Sequence, residues 1–150
     1  MAKFGGGVDF LGRGWSFPPT FTITSGSAGS VGNVEMVSDD IDIQQSLRVL
    51  FSTLKKERVM LPEYGCSLHD YVFDSIDSSL IASIKSALTN AILYFEPRIG
   101  VIEIELTQED DIQGLLQINL TYTIRQTNTR SNMVYPFYLQ GEGTNVRRIA

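Results

Sequence analysis

One cysteine and one histidine in 150 residues remove several chemistries at once. Cys66 alone cannot form an intrachain disulfide, which suits a reducing compartment, and its expected state is a buried, inert thiol. His69 alone excludes paired-histidine zinc sites and the helical His-Glu-x-x-His arrangement, and together with Cys66 it supplies at most two metal ligands. Three residues apart, the two read as a turn thiol and a surface imidazole rather than a nucleophile pair. Long apolar runs are missing too. No stretch approaches the roughly 20 residues of a membrane span, and no basic segment leads into an apolar one at the start, so a soluble, cytosolically made chain without membrane insertion is expected. Positive charge is scarce: 12 Lys and Arg face 17 Asp and Glu, for a net charge of −5. Neutralising phosphates needs a clustered basic surface. The densest groups, Lys55-Lys56-Arg58 and Arg147-Arg148, are not interleaved with stacking aromatics, so no nucleic-acid partner is expected.

What is present suits one globular α+β domain, since 43% hydrophobic content can fill a real core. Eight of the 13 glycines lie in the first 37 residues, and with Pro18-Pro19 and the Ser25 to Ser30 stretch they predict an extended arm over 1–37. Trp15, Phe17 and Phe21 are its apolar anchors, expected to pack on the chain's own domain or on a neighbour. A single α+β domain is expected over 38–140, and 141–150 reads as a tail.

Ser38, Asp39 or Asp40 can cap a first helix with Ile43, Leu47, Leu50, Phe51 and Leu54 on its apolar stripe. Its acidic start and basic end suit the helix dipole. Val59 to Gly65 reads as extended into a turn, followed by a short apolar stretch at Leu68, Tyr71, Val72 and Phe73. Over 78–95, Leu80, Ile84, Leu88, Ala91, Ile92 and Phe95 recur at helical spacing after a cap at Asp77 or Ser78. Pro97 lacks an N–H and disfavours helix at Glu96, so the helix stops there and Glu96 and Arg98 flank a rigid corner. Both side chains are expected to project outward.

Three strands complete the pattern. The first, near 99–106, alternates Ile102, Ile104 and Leu106 with Glu103 and Glu105. After an acidic loop at Glu109-Asp110-Asp111 comes 115–126, with Leu116, Ile118, Leu120, Tyr122 and Ile124 facing one way and Gln117, Asn119, Thr121, Thr123 and Arg125 the other. A polar turn at 127–132 leads to 133–139. The prediction is two helices packed on the dry face of a small antiparallel three-stranded meander.

Catalytic constellations are thin. Glu63 and Glu96 could form an acid–base pair of a glycosidase, but each abuts a proline at a corner and nothing in the sequence brings them together. Glycines 5–14 neither follow a strand nor open a helix, so they lack the context of a phosphate loop. Glu109-Asp110-Asp111 lacks calcium-loop spacing and reads as a solvated turn. No catalytic residue, cofactor or metal is expected, which leaves a structural or interaction role.

Four stretches together resemble the GPW family of contractile-tail baseplate wedge proteins, historically labelled lysozyme-like. They are Leu11 to Pro19, Glu57 to Cys66, Phe95 to Ile99, and Tyr122 to Asn128 with Asn132 to Leu139. The resemblance covers roughly residues 11–140. It implies a non-enzymatic subunit of a phage tail, a type VI secretion baseplate or a phage-tail-like particle, assembled in a multi-copy ring. Its implied partners are other wedge proteins, the sheath protein, and inner tube or hub proteins. By the same resemblance, Glu96, Pro97 and Arg98 correspond to the family's docking motif for the wedge core. The small sheet resembles the strand-exchange domain of sheath subunits. Met133-Val134-Tyr135-Pro136-Phe137-Tyr138-Leu139, apolar on both faces and carrying an edge-compatible proline, is then the edge on which sheath strands would pair. Two positions depart from the family: Lys56 stands where glycine is frequent, and Leu61 where a basic residue is frequent. Alternative roles are a regulatory anti-adaptor on the same fold and, further off, a cell-wall hydrolase.

Overall fold

The computed structural model describes residues 11–26, 29–72, 74, 76–108 and 114–139. Gly5 to Gly7, Phe73, the acidic loop Glu109 to Asp111, Arg147, Arg148 and the tail 141–150 lie outside these residues. The fold is α+β, and the chain divides into two compact units, Met1–Ser46 and Leu47–Ala150.

In the first unit, the described part of the glycine-rich arm is β-paired. Strands β1 (Arg13–Trp15), β2 (Phe21–Gly26), β3 (Gly29–Val34) and β4 (Met36–Ser38) form two antiparallel pairs, β1 with β4 and β2 with β3. The β2–β3 register runs from Phe21 opposite Val34 to Gly26 opposite Gly29. Two backbone bonds tie the pairs together: Ser16 N–H to Glu35 O at 3.0 Å, and Glu35 N–H to Thr20 O at 2.9 Å. Composition alone misses these strands, because Gly, Ser and Thr carry little apolar alternation while backbone pairing needs none.

Helix α1 (Asp39–Ser52) runs across the division between the units. Ile43, Leu47, Leu50 and Phe51 form its buried stripe. Its first turn is acidic, with Asp39, Asp40 and Asp42, but no basic residue lies in its last turn. The helix stops before Lys55 and Lys56, so the expected basic end is absent, and Leu54 falls outside the helix and is exposed.

In the second unit, a short 3-10 turn at Ser67–Tyr71 buries Leu68. Helix α2 spans Ser78–Phe95, with the Asp77 carboxylate accepting the Leu80 N–H at 2.7 Å. Leu80, Ile84, Leu88, Ala91 and Ile92 are buried at the predicted spacing. Strands β5 (Ile99–Gln108), β6 (Leu115–Ile124) and β7 (Thr129–Tyr138) form an antiparallel meander in that order. β6 buries the whole predicted face, Leu116 to Ile124. β5 departs from its pattern: a bulge between Val101 and Glu103 turns Ile102 out to solvent while Ile104 stays buried, since one unpaired residue reverses side-chain parity. β7 begins four residues earlier than its apolar run. Ile124 pairs with Thr129, and Asn128 takes a left-handed conformation, φ 52°, that lets a short turn close the hairpin. Phe51 of α1 meets Tyr135 of β7 edge-on at 5.5 Å between ring centres.

Candidate functional site

The end of α2 is shaped by one proline. Pro97 cannot continue the helix, so Glu96 becomes its cap, with its N–H still donating to Ile92 O at 2.9 Å and its backbone at φ −131°, ψ 70°. Arg98, two residues on, folds back over it. Nε reaches Glu96 Oε1 at 2.6 Å and Nη2 reaches Oε2 at 2.8 Å, a bidentate fork in the geometry that makes such pairs strong. The corner is also tied to the sheet: the Arg98 carbonyl accepts the Arg125 N–H at 2.9 Å, and Arg125 Nε donates to Ile99 O at 3.0 Å.

Glu96 is only 3% exposed and the Arg98 side chain 25%. The expectation that both project outward is therefore corrected for Glu96. The physical reason is the fork itself, which compensates the carboxylate for its lost water and so permits burial. Pro97 remains exposed, as does the outer part of Arg98.

Against this corner stands a loop that the sequence did not connect to it. Tyr64 meets Phe95 edge-on at 5.1 Å, and the Arg58 guanidinium lies 4.0 Å from the Tyr64 ring centre. Burial pushes the Tyr64 phenol above its usual range, with Arg58 opposing and Glu96 reinforcing the shift. The loop has a defined shape. Gly65 has φ +122°, and a side chain there would come within 2.5 Å of Thr53 O, so only glycine fits. Lys56 takes the left-handed φ of 69°, a conformation that glycine would adopt without steric cost. A cleft of about 550 Å³ opens between loop and helix, lined by Lys55, Glu63, Asn90, Ala91, Tyr94 and Phe95.

The remaining predicted residues fall elsewhere. Met133 to Tyr138 lie on β7, at one edge of the sheet, with Leu139 buried just beyond the strand. The predicted two-faced apolar strand is uneven in exposure: Met133 and Phe137 are buried, while Val134 and Pro136 are exposed. Trp15, Phe17 and Phe21, in the first unit, are 63%, 53% and 65% exposed. Trp15 and Phe21 touch edge-on at 6.4 Å, and the Phe17 N–H donates to Gln45 Oε1 at 2.8 Å. Cys66 is buried and its thiol is pushed up to about 11 by desolvation; His69 is exposed. Among the described residues no group of three His, Cys, Asp or Glu could hold a metal ion. No described helix is long and apolar enough to cross a membrane.

Residues 37–129 match the family described as baseplate wedge protein gp25. The chain is similar to a Geobacter sulfurreducens protein that carries a tail-lysozyme name, with 38% identity over 68% of this chain and 92% of that one, and a TM-score of 0.62. It is also similar to a chain of the anti-feeding prophage baseplate, with 25% identity, 86% coverage of both chains and a TM-score of 0.60. A chain of the type VI secretion baseplate complex shares the fold at 12% identity over 67% of this chain and 93% of that one, with a TM-score of 0.56. No curated protein sequence matches significantly. With the match over 37–129 spanning the α2–β5 corner and strands β5 and β6, and with 38% identity to the Geobacter relative, the chain belongs to the baseplate wedge protein gp25 family of contractile tail-like machines.

Proposed function

We propose that this chain acts as a non-enzymatic wedge subunit that docks on the wedge core through its Glu96-Pro97-Arg98 corner and offers the β7 edge to the first sheath strands. Within the corner the roles divide. Glu96 is the buried carboxylate that fixes the guanidinium, while Pro97 and the outer edge of Arg98 are what a partner can touch. Exposed Leu93 and Tyr94 extend the same surface along the last turn of α2. Other wedge proteins, the sheath, and tube or hub proteins are the partners this reading requires, and assembly into the baseplate after cytoplasmic synthesis is its setting.

The observation that carries the sheath reading is the direction of the backbone groups on β7. Leu139 N–H bonds to Gly114 O at 2.7 Å, and the register pairs Tyr138 with Leu115 and Pro136 with Gln117. Hydrogen-bonded and non-bonded pairs alternate in an antiparallel ladder. Odd-numbered residues from 133 to 139 therefore turn their N–H and C=O groups toward β6, and Asn132, Val134, Pro136 and Tyr138 turn theirs away. Pro136 sits where its missing N–H costs the ladder nothing. It also interrupts the outward row of donors, which discourages casual pairing while leaving carbonyls for a partner strand that fits.

Val134→Pro tests this directly, because it removes one outward donor and no ladder bond. The isolated variant should keep its fold and melting behaviour, and particles built with it should show tubes and baseplates without sheath by electron microscopy. Normal sheathing would reject the edge as template, as would an assembled structure in which no neighbour's strand lies along either open edge.

A further inference from the structure

Val59 and Met60, at the tip of the loop between α1 and the 3-10 turn, are 92% and 94% exposed, the highest values among the large apolar side chains of the described residues. The loop that carries them is nonetheless braced. Cys66 N–H bonds to Thr53 O at 3.0 Å across its base, and Lys56 N–H bonds to Pro62 O at 2.7 Å across its neck. Leu54 N–H donates to Glu57 Oε2 at 2.8 Å, and Tyr64 N–H to Leu61 O at 3.1 Å. The Arg58 stack on Tyr64 fixes the stem beside the tip. With the backbone already ordered, docking costs these two side chains their rotamer freedom but little backbone freedom, which lets more of their burial appear as affinity.

The surroundings say what kind of surface fits. Lys55, Lys56 and Arg58 flank the tip and are exposed, in a chain whose net charge is −5. We propose that Val59 and Met60 form a knob that seats in an apolar socket rimmed by carboxylates on a different subunit of the baseplate. This rests on membership in a baseplate family, which supplies the neighbours, and not on docking by the Glu96-Pro97-Arg98 corner. A second copy of this chain is a poor host, because the cleft beside its loop sets Lys55 together with Glu63, one charge of each sign rather than a rim of carboxylates. A lipid surface is also disfavoured, because two apolar side chains supply little insertion area.

The test uses assembled particles. With p-benzoylphenylalanine in place of Met60, irradiation should link the chain to one site on another baseplate subunit, in an apolar pocket with Asp or Glu at its rim. Val59→Ser with Met60→Ser should lower incorporation into particles by at least about tenfold, with the melting temperature of the isolated chain unchanged. Lys55→Glu with Lys56→Glu should also lower incorporation. Unchanged incorporation of either double variant overturns the proposal. So does a crosslink to a second copy of this chain, or retention of the wild type but not the serine variant on vesicles of phosphatidylethanolamine and phosphatidylglycerol. The same photoreactive residue in place of Pro97 reports on the corner separately, so one surface can fail while the other stands.

Discussion

Arg98 and Glu96 are each other's condition for being where they are. A carboxylate at 3% exposure is tolerated because a guanidinium occupies both of its oxygens, and removing the guanidinium leaves a buried charge short of its main partner. For a fully buried pair that loss is roughly 3–5 kcal/mol; with Arg98 a quarter exposed, about 2–4 kcal/mol is the fitting range. Arg98→Ala should therefore lower the melting temperature by roughly 10 °C, contrary to the near-zero effect expected of an outward-facing pair, and Glu96→Ala should lower it less, since the Arg98 it frees is a quarter exposed and can reach water. Arg98→Lys should recover only part, since an ammonium cannot fork. Unaltered melting of Arg98→Ala would mean that the fork contributes nothing to folding. Cys66 offers a second measurement. Its folded thiol titrates near 11, above its unfolded value, so the folded state holds the proton longer as pH rises. The resulting stabilisation is complete below about pH 8.5 and is lost as pH climbs toward 11, with burial of Tyr64 and Tyr135 acting in the same direction. Melting temperature should fall between pH 9 and 10.5, and less steeply in Cys66→Ala; parallel slopes would remove Cys66 from the account.

Helix α2 is the element most completely written in the sequence. Cap, apolar stripe and proline stop are all local signals within 20 residues, and the observed bounds coincide with the predicted ones because nothing distant competes with them. Asp77→Ala should cost about 1 kcal/mol by orphaning the Leu80 N–H, measurable by urea titration, and a loss near zero would show that water replaces the cap. The strands are legible in face wherever alternation is uninterrupted, as in β6. At Ile102 of β5 alternation and structure part, because a bulge depends on how two strands pair, not on either sequence alone. The start of β7 carries no sequence signal because Thr129 to Asn132 are polar, and hairpin closure through Asn128 recruits them anyway.

For the whole molecule, the relatives are structural baseplate proteins, and the lysozyme name attached to one of them makes a further expectation worth measuring. Glu96 is held in the arginine fork and Glu63 lies on the cleft, an arrangement in which one of the two candidate carboxylates is already committed. The purified chain should release no more peptidoglycan fragments than buffer does, and turnover abolished by Glu63→Gln would overturn the non-enzymatic reading. The anti-feeding prophage chain matches 86% of this one, more than the 104 residues beyond Ser46 can provide, so the likeness reaches into the β-paired first unit. By itself the sequence determined the α+β class, both helices, the buried face of β6 and the corner at Pro97, because each follows from periodicity or from a residue's own backbone chemistry. Tertiary structure alone decided that Glu96 is buried, that Arg58, Tyr64 and Phe95 stack beside it, and that Val59 and Met60 are left bare on a braced loop. The Tyr64–Phe95 contact joins segments about 30 residues apart in the chain, and a side chain's exposure belongs to its neighbours rather than to its place in the sequence.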